Sequence, residues 1–536
     1  MKRKPETEID VLRDVPRGVV SRYLKAQTVP QARWQSPELI LERDALRYDP
    51  ARPMGKILIG ALGDALIGLT DNRHVMTVAG SRAGKSVTLI GNLLFYDGSV
   101  LATDPKGELA RTTALARAAL GQKVFILDPF QIVKGEAAKY RAAYNPLTRL
   151  RLGNLTVIED TMQIADALVV TTGQEKDPHW NESAKGFLFG LILYVATSAD
   201  LKDEERHLGT VRKLVNQALS LEDGSEAYAL PKRVMETAEY LAANGHDDVA
   251  VALEGAMRGF YEKSTDELAS VLSTVHRHTQ FLDYRAMKSV LSGHSFDLAD
   301  LKRDPAGVSV YLVLPATRMG MCNRWLRLFV NQLLDAMERE DTKPKSPVLV
   351  CLDEFPVLGF MSQLQDAAGQ IASFDVKLWV IMQDWGQGKA LYGDRFESFA
   401  ANAGIFQAFG NVDLTTTEYI SRRLGKTVVE VTRHGDPSPE QREKGMSGRT
   451  VSAETYDLLT PDEVSRLFAR SDPLKRQLVF WAGLHPMILQ RIEYYDRSGP
   501  LARQGHANLP ARTSTISVAN TNFIFTMAAD SHWTLN

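Results

Sequence analysis

The spacing of hydrophobic and polar positions changes along this chain and divides it into segments. From residue 74 onward, short apolar runs alternate with turns rich in Gly and Asp and with apolar helical patterns. The alternation predicts buried strands at residues 74–78, 99–103 and 123–127, with helices between them. A repeated strand–turn–helix pattern is typical of a parallel sheet with helices on both faces.

A helical period replaces this pattern in the middle of the chain, where strand-like alternation nearly vanishes. Helices are predicted there at residues 181–196, 209–219, 231–242, 249–258 and 265–276. Strand patterns return at residues 308–314, 347–352, 376–382, 405–409, 477–481 and 488–494. The fold class is therefore expected to be α/β, a mostly parallel sheet interrupted by an inserted all-α domain.

The same patterns set the expected domain boundaries. Residues 432–450, polar and rich in Pro and Gly, predict a mobile surface loop, and the tail is expected to be extended, so that it can dock on a neighbour. The expected units are an N-terminal segment (1–50), the first part of a nucleotide-binding domain (51–165), the all-α insertion (166–300), the second part of the nucleotide-binding domain (301–496) and a tail (497–536).

Composition excludes several functional classes. The 536 residues carry 63 basic and 65 acidic side chains, so a net charge of -2 gives no global attraction to nucleic acid or membrane. Two cysteines cannot stabilise a chain of this length by disulfides, which favours a reducing cytoplasm. The apolar stretches at 57–69 and 186–196 are shorter than the ~20 residues that a bilayer requires, and the N-terminus is not a signal peptide.

A phosphate-binding loop follows the strand at 74–78. The sequence AGSRAGKS matches the P-loop consensus G-x-x-x-x-G-K-[ST] except for Ala79 at its first position, which fits if the backbone there has no positive φ. Lys85 supplies a charge for the β- and γ-phosphates of ATP, and the Ser86 hydroxyl is a ligand for Mg²⁺. An ordinary strand–helix turn is the alternative. The expected nucleotide-binding residues are Ala79, Gly80, Ser81, Arg82, Ala83, Gly84, Lys85, Ser86 and Val87.

Two later strands deliver polar side chains to the same sheet edge. The run VLVCL ends in Asp353 and Glu354, where Asp353 is expected to hold Mg²⁺ and Glu354 to act as the general base. Without a P-loop, such an acidic pair often only caps a helix. The run KLWVIMQ ends in Gln383, which is expected to contact the γ-phosphate or the attacking water; a polar strand end without a ligand is the alternative.

Taken together, these motifs resemble a known family. The set AGSRAGKS, TDPKGEL, LDPF with YNPL, LDEFPVLG, IMQ with ALYG, and LLTPDEVSRL resembles the TraG/VirD-type coupling ATPases of type IV secretion and conjugation, from about residue 50 to 495. The resemblance implies a RecA-like motor domain and a homo-hexameric ring with single- or double-stranded DNA in its pore. It also implies that the all-α domain receives a relaxase, effector or accessory protein and that membrane channel components are further partners.

The chain departs from the family pattern in two ways. Family members usually begin with a transmembrane anchor, which the pattern here does not predict; either a truncated chain or an anchorless branch would explain this, and the start at Met1 favours the anchorless branch, cytoplasmic or peripheral to the inner membrane. The family's trans-acting arginine is expected shortly before the Gln383 strand, where this chain has Ile-Ala-Ser. Its possible substitutes are Arg395, Arg422 and Arg423.

DNA contacts are weakly signalled. Arg111, Arg117, Lys302 and Arg303 are candidates that solvated helix faces explain equally well. Trp379, Trp385 and Trp481 are expected in the core or at an interface rather than as base-stacking platforms. Two other functions stay open: a soluble HerA/FtsK-like hexameric DNA translocase in DNA processing or defence, and a nucleotide-switched cargo receptor.

Overall fold

A large mixed sheet organises the molecule. The computed structural model describes residues 32–170, 178–218, 229–367, 369–434, 449–506, 509, 513–518, 521–527 and 533–535. Its strands are β1 (Ile57–Leu62), β2 (Ala65–Leu69), β3 (His74–Ala79), β4 (Val100–Asp104), β5 (Lys123–Leu127), β6 (Val308–Val313), β7 (Val348–Leu352), β8 (Val376–Met382), β9 (Ala403–Phe409), β10 (Lys426–His434), β11 (Arg449–Asp457), β12 (Arg476–Trp481), β13 (Met487–Gln490), β14 (Thr513–Val518), β15 (Thr521–Met527) and β16 (Trp533–Leu535).

The strand order of the eleven-stranded sheet is β2-β1-β13-β12-β9-β3-β8-β7-β4-β6-β5. Strands β5 to β9, with β3 and β4, pair in parallel, whereas β12, β13, β1 and β2 continue the sheet in antiparallel pairs. The expected mostly parallel α/β fold is therefore confirmed. In this order β3 lies between β8 and β9, so the turns after these three strands share one edge.

Every residue of β3 is buried, and the polar side chains of this central region are paired with each other. Thr77 donates its hydroxyl to Gln407 Oε1 at 2.9 Å, and the indole of Trp379 donates to Thr77 Oγ1 at 2.9 Å. Such pairing is needed because an unpartnered polar group in this position would lose its hydration without compensation. Strand β3 is therefore a rigid support for the loop that follows it.

Helices connect the strands, and eight of those that the structure describes lie in the part of the sequence between β5 and β6. They are α1 (Pro37–Glu42), α2 (Lys85–Leu93), α3 (Glu108–Ala119), α4 (Val157–Leu168), α5 (His179–Thr197), α6 (Leu208–Gln217), α7 (Ala229–Ala243), α8 (Asp247–Tyr261), α9 (Thr265–Thr279), α10 (Arg285–Leu291), α11 (Asp300–Arg303), α12 (Ala316–Arg339), α13 (Ser362–Ala367), α14 (Trp385–Tyr392), α15 (Phe396–Ala401), α16 (Leu414–Leu424), α17 (Pro461–Leu467) and α18 (Pro500–Arg503). We call α4 to α11 the helical segment.

The apolar helix α5 is the centre of the helical segment and packs against α4, α6, α8 and α9. Thirteen of its nineteen residues are buried, which explains the apolar run seen in the sequence. Within the part of the chain that the structure describes, no helix has the length and hydropathy to cross a bilayer.

Local patterns missed or misplaced several elements. The hairpin of β1 and β2 was not predicted, because Gly60 and Gly68 interrupt its apolar pattern; a Cβ on Gly68 would lie 2.4 Å from the Tyr48 ring. The strand predicted at 488–494 ends at Gln490, because its partner β12 begins only at Arg476. The preceding Lys475 has φ +53° and donates its amide to the Asp472 carbonyl at 2.9 Å, so it belongs to a turn and does not extend the ladder. The predicted loop at 432–450 begins and ends within β10 and β11, and its residues 435–448 lie outside the described residues.

Candidate nucleotide-binding site

The predicted phosphate-binding loop connects β3 to the start of α2. Gly84 has φ +108° and precedes the helix, and Arg82 also has a positive φ of +57°. A larger residue at position 84 would be strained by this backbone conformation and not by lack of space, because a Cβ there has no neighbour within 4 Å. Backbone N–H groups at a helix N-terminus attract phosphate, so this geometry suits a phosphate cradle.

The loop rests on the turn that follows β9. A Cβ on Gly80 would lie 1.9 Å from the Gly410 carbonyl oxygen, and a Cβ on Gly410 (φ +65°) would lie 2.5 Å from the Ala83 Cβ. Both glycines are therefore required by close approach. Ala79 is the last residue of β3 and has no positive φ, which explains why alanine fits the first position of the motif.

Arg491, which the sequence did not suggest, supports the loop from the antiparallel side of the sheet. Its Nη1 donates to the Ala83 carbonyl at 2.6 Å, and its guanidinium lies 5.2 Å from the centre of the Phe409 ring. Burial lowers the pKa of Arg491. No local pattern marks this residue, because it follows a short strand and reaches the loop only after the sheet forms.

The predicted acidic pair lies at the end of β7, two strands away from β3. Asp353 is buried, and burial together with the neighbouring Glu354 raises the pKa of Asp353 to about 7. Its backbone carbonyl accepts a 2.9 Å hydrogen bond from Thr103 at the end of β4. Two adjacent carboxylates in a buried edge repel each other, and a divalent cation would relieve that repulsion; the site therefore fits Mg²⁺.

Glu354 and Gln383 contact each other across the edges of β7 and β8. The amide Nε2 of Gln383 donates to both carboxylate oxygens of Glu354, at 3.2 Å each. Glu354 has a left-handed backbone with φ +56°, an uncommon conformation for a residue other than glycine. The Gln383 carbonyl in turn accepts from Asn411 Nδ2 at 3.4 Å, which links β8 to the turn after β9.

Lys85 points back along the loop. Its Nζ donates to the Ala79 carbonyl at 3.1 Å, and burial lowers its pKa, while Glu354 and Asp353 act in the opposite direction. Asp384, next to Gln383, also favours the charged lysine. The ammonium group, the acidic pair and the amide thus belong to one electrostatic site at the carboxyl edge of the sheet.

A second buried carboxylate, Asp104, was overlooked although it stands in the quoted motif TDPKGEL. Its oxygens accept N–H groups of Lys106, Glu108 and Ala110 at 3.4, 3.0 and 2.9 Å. Burial raises its pKa to about 6. A strand ending in Asp just before a helix start was the available signal.

The candidate trans-acting arginines pack on aromatic rings or lie at the exposed surface. Arg423 lies over the rings of Phe406 and Phe480, 4.5 and 4.8 Å from their centres. Arg422 is 80% exposed and 3.9 Å from Glu418, and Arg395 is exposed. Lys389, Arg422 and Arg423 line a pocket of about 530 Å³ beside α14.

Two of the DNA-contact candidates are excluded by burial. Arg117 is fully buried and donates to the carbonyls of Leu93 and Gly98 and to Ser309, and Lys302 donates to the Met337 and Glu340 carbonyls. The alternative interpretation, that both are charges on solvated helix faces, is also wrong, because both side chains are buried. Trp379 and Trp385 are buried, as the core interpretation predicted, whereas Trp481 is half-buried and its indole donates to Asp71 Oδ2 at 2.9 Å.

Sequence comparisons relate the chain to conjugation proteins. The family model described as type IV secretory system conjugative DNA transfer matches residues 26–521. The chain is 29% identical over 410 residues to the conjugal transfer protein TraG of Escherichia coli, covering 74% of this chain and 61% of that protein. It is 24% identical over 476 residues to the type IV secretion system-coupling protein VirD4 of Bartonella quintana (strain Toulouse), covering 86% of this chain and 70% of VirD4. The chain thus spans only about three fifths of the TraG proteins of E. coli, 61% and 62%.

Solved structures share the fold. The plasmid coupling protein TrwB in complex with the non-hydrolysable ATP analogue ADPNP has a TM-score of 0.56 at 16% identity, covering 87% of this chain and 94% of that chain. TrwB in complex with ADP and Mg²⁺ gives a TM-score of 0.56 at 15% identity, with the same coverage of 87% and 94%.

Proposed function

The chain belongs to the type IV secretory system conjugative DNA transfer family, and on that premise we propose that it is an ATP-hydrolysing coupling protein. It recruits DNA–protein or protein cargo and drives the transfer of that cargo to a type IV secretion or conjugation channel. The observation that carries the proposal is the convergence of Lys85, Glu354 and Gln383, from three different strand ends, on one edge of the sheet.

Each element of this edge has a role in binding. The backbone N–H groups around Gly84 bind phosphate oxygens, and Lys85 adds a positive charge to the same cradle. Ser86 and Asp353 are the Mg²⁺ ligands; when bound, Mg²⁺ neutralises charge on the phosphates. TrwB has been solved with ADPNP and with ADP and Mg²⁺, which supports the same ligands here.

Hydrolysis requires a group that accepts a proton from the attacking water. Glu354 has this role, because it follows the proposed Mg²⁺ ligand directly and is a half-buried residue just after the carboxyl end of β7. Gln383 holds the carboxylate by its amide at 3.2 Å and thereby fixes where the proton is accepted. The backbone carbonyl of Gln383 accepts from Asn411 Nδ2, so a change in the position of Gln383 also reaches the turn after β9.

The assembly is a homo-hexameric ring in which Arg395, Arg422 or Arg423 enters the site of the adjacent subunit. DNA passes through the pore, and the helical segment receives a relaxase, effector or accessory protein. Because ATP is the fuel and both cysteines are free thiols, the protein works on the cytoplasmic side, next to membrane channel components.

ATP hydrolysis by the purified protein, with and without DNA, tests this function. We expect turnover that DNA stimulates, loss of turnover in Lys85→Ala and normal turnover in Lys343→Ala, an exposed lysine outside the site. Imaging with ADPNP should show rings. Equal turnover of the wild type and Lys85→Ala would contradict the ATPase, and monomers with and without DNA would contradict the ring.

A further inference from the structure

The turn that follows Glu354 determines how this residue is presented. Glu354 leaves β7 in a left-handed conformation, a 3₁₀ turn covers Phe355–Leu358, and Gly359 has φ +70°. A residue held in an uncommon backbone conformation keeps it only while its surroundings fix it. We call residues 355–361 the base turn. The contacts that fix the base turn therefore also fix the position of the Glu354 carboxylate.

Arg327 of α12 forms hydrogen bonds with the base turn. Its side chain is 3% exposed, and Nη1 donates to the carbonyls of Leu358 and Phe360 at 2.9 and 2.6 Å. Its Nε donates to the Ala167 carbonyl, at the end of α4, at 3.4 Å. A buried guanidinium that lost these acceptors would be strongly unfavourable. One side chain thus joins the base turn to the helical segment.

A second bridge runs beside the first. Gln363, just after the base turn, donates Nε2 to Asp166 Oδ2 at 2.7 Å and accepts from Asn331 of α12 at 2.9 Å. The other oxygen of Asp166 lies 2.8 Å from Lys185 Nζ on α5. The contacts therefore continue from the base turn through α4 to the central helix of the helical segment.

The opposite side of the base turn contacts the helix that follows Gln383. The hydroxyl of Tyr392, at the end of α14, donates to the Gly359 carbonyl at 3.4 Å. The rings of Phe355 and Tyr392 stack with centres 5.9 Å apart. Movement of the base turn consequently changes the relation between Glu354 and Gln383, the two residues that meet at 3.2 Å.

We propose that Arg327 is a positioning residue for hydrolysis, which couples the helical segment to the general base by sharing its guanidinium between the end of α4 and the base turn. This inference rests on the proposed ATPase function and adds a path by which cargo on the helical segment regulates turnover. A displacement of about 1 Å at the base is enough to alter a rate by a large factor.

The chain offers a matched control at the other end of the same helix pair. Arg339, also on α12, donates to Thr156 Oγ1 at 2.6 Å and to Asp160 near the start of α4, and these bonds do not involve the base turn. Arg327→Lys and Arg339→Lys each keep the positive charge but lose part of an α12–α4 contact. Only the first change reaches the base turn.

The experiment measures kcat, KM and the Kd for ADPNP with Mg²⁺ in wild type and both variants. We expect Arg327→Lys to lower kcat by about tenfold or more with an unchanged Kd, and Arg339→Lys to leave kcat within about twofold. Equal losses in both variants would reduce Arg327 to a structural contact and overturn the proposal. A wild type without ATPase activity would instead contradict the proposed function.

Hydrogen exchange supplies a readout that is independent of turnover. Binding of ADPNP with Mg²⁺ should slow amide exchange in residues 355–361 and in α4 of the wild type and Arg339→Lys. In Arg327→Lys the protection should stop at residues 355–361; protection of α4 equal to wild type would overturn the coupling. Should Arg327→Lys fail to fold, Gln363→Leu, which breaks only the half-buried second bridge, tests the same loss of protection in α4.

Discussion

Gln383 donates its side-chain amide to both carboxylate oxygens of Glu354, at 3.2 Å each, between the ends of two adjacent parallel strands. The two residues are 29 positions apart in sequence, and they meet because β7 and β8 are neighbours in the sheet. A carboxylate held in this way by a neutral donor keeps its orientation, which a general base needs.

Replacing Glu354 by Gln should abolish hydrolysis and preserve nucleotide binding. The amide has the shape of the carboxylate but cannot accept the proton from water, so kcat should fall by about a hundredfold or more. Calorimetry with ADPNP and a phosphate-release assay measure the two properties separately. Normal turnover in this variant would exclude Glu354 as the base.

Replacing Gln383 by Ala should slow hydrolysis less severely. The carboxylate of Glu354 loses its orienting donor but stays in place, so kcat should fall by about tenfold while KM changes little. Steady-state kinetics give both values. A rise in KM at constant kcat would show instead that Gln383 only contributes to substrate binding.

Replacing Gly80 by Ala should disrupt the P-loop, because the new Cβ would lie 1.9 Å from the Gly410 carbonyl oxygen. The loop would have to move away from the turn after β9, and ADPNP affinity should fall by about tenfold or more. Gly91→Ala in α2 is the control: its Cβ meets nothing within 4 Å, and the protein should keep or gain up to about 1 kcal/mol of stability. Equal affinities in both variants would contradict the close contact.

Replacing Arg491 by Met should weaken nucleotide binding through the loop. The Ala83 carbonyl would lose its 2.6 Å donor, so the peptide between Ala83 and Gly84 would be less firmly oriented. We expect about a tenfold higher Kd for ADPNP. Arg503→Met, which removes a partner of Asp64 at the edge of the same sheet, should bind as the wild type does. An unchanged Kd in Arg491→Met would show that the loop needs no such support.

The stability of the nucleotide-free protein should depend on Asp353 between about pH 4 and pH 7. Burial, with Glu354 nearby, raises the pKa of Asp353 to about 7, so in this window the folded state holds a proton that the unfolded state has released. Stability therefore falls as pH rises through the window. Asp353→Asn cannot ionise and should be more stable than the wild type by about 1–4 kcal/mol at pH 8, with a smaller difference at pH 5. Thermal melting at both pH values checks the sign.

Local patterns were sufficient wherever one element could be judged by itself. Strands β5 and β8 have the predicted bounds, since a buried strand in a parallel sheet is a continuous apolar run between turns. The P-loop and the acidic pair were visible because each occupies a few consecutive residues. The hairpin β1–β2 was not, because its glycines are explained only by Tyr48 and Gln477 packing against them.

Sequence patterns could predict only some residues of the candidate site. Glu354 and Gln383 could be proposed as neighbours, since parallel strands end at one edge. Arg491 could not, because its contact with Ala83 joins residues 408 positions apart. Arg117 and Lys302 were misjudged for a related reason: their charges are buried against backbone carbonyls contributed by other elements.

The sequence by itself therefore determined the α/β class, and it was sufficient to predict the phosphate loop and the residue types of the candidate site, since these depend on short-range spacing and on side-chain chemistry. Tertiary structure decided which strand ends are adjacent, why Gly80 must be glycine, and how Arg327 joins the turn after Glu354 to α4. These relations depend on distances between segments far apart in the chain, and only the packing of the complete sheet and its helices fixes such distances.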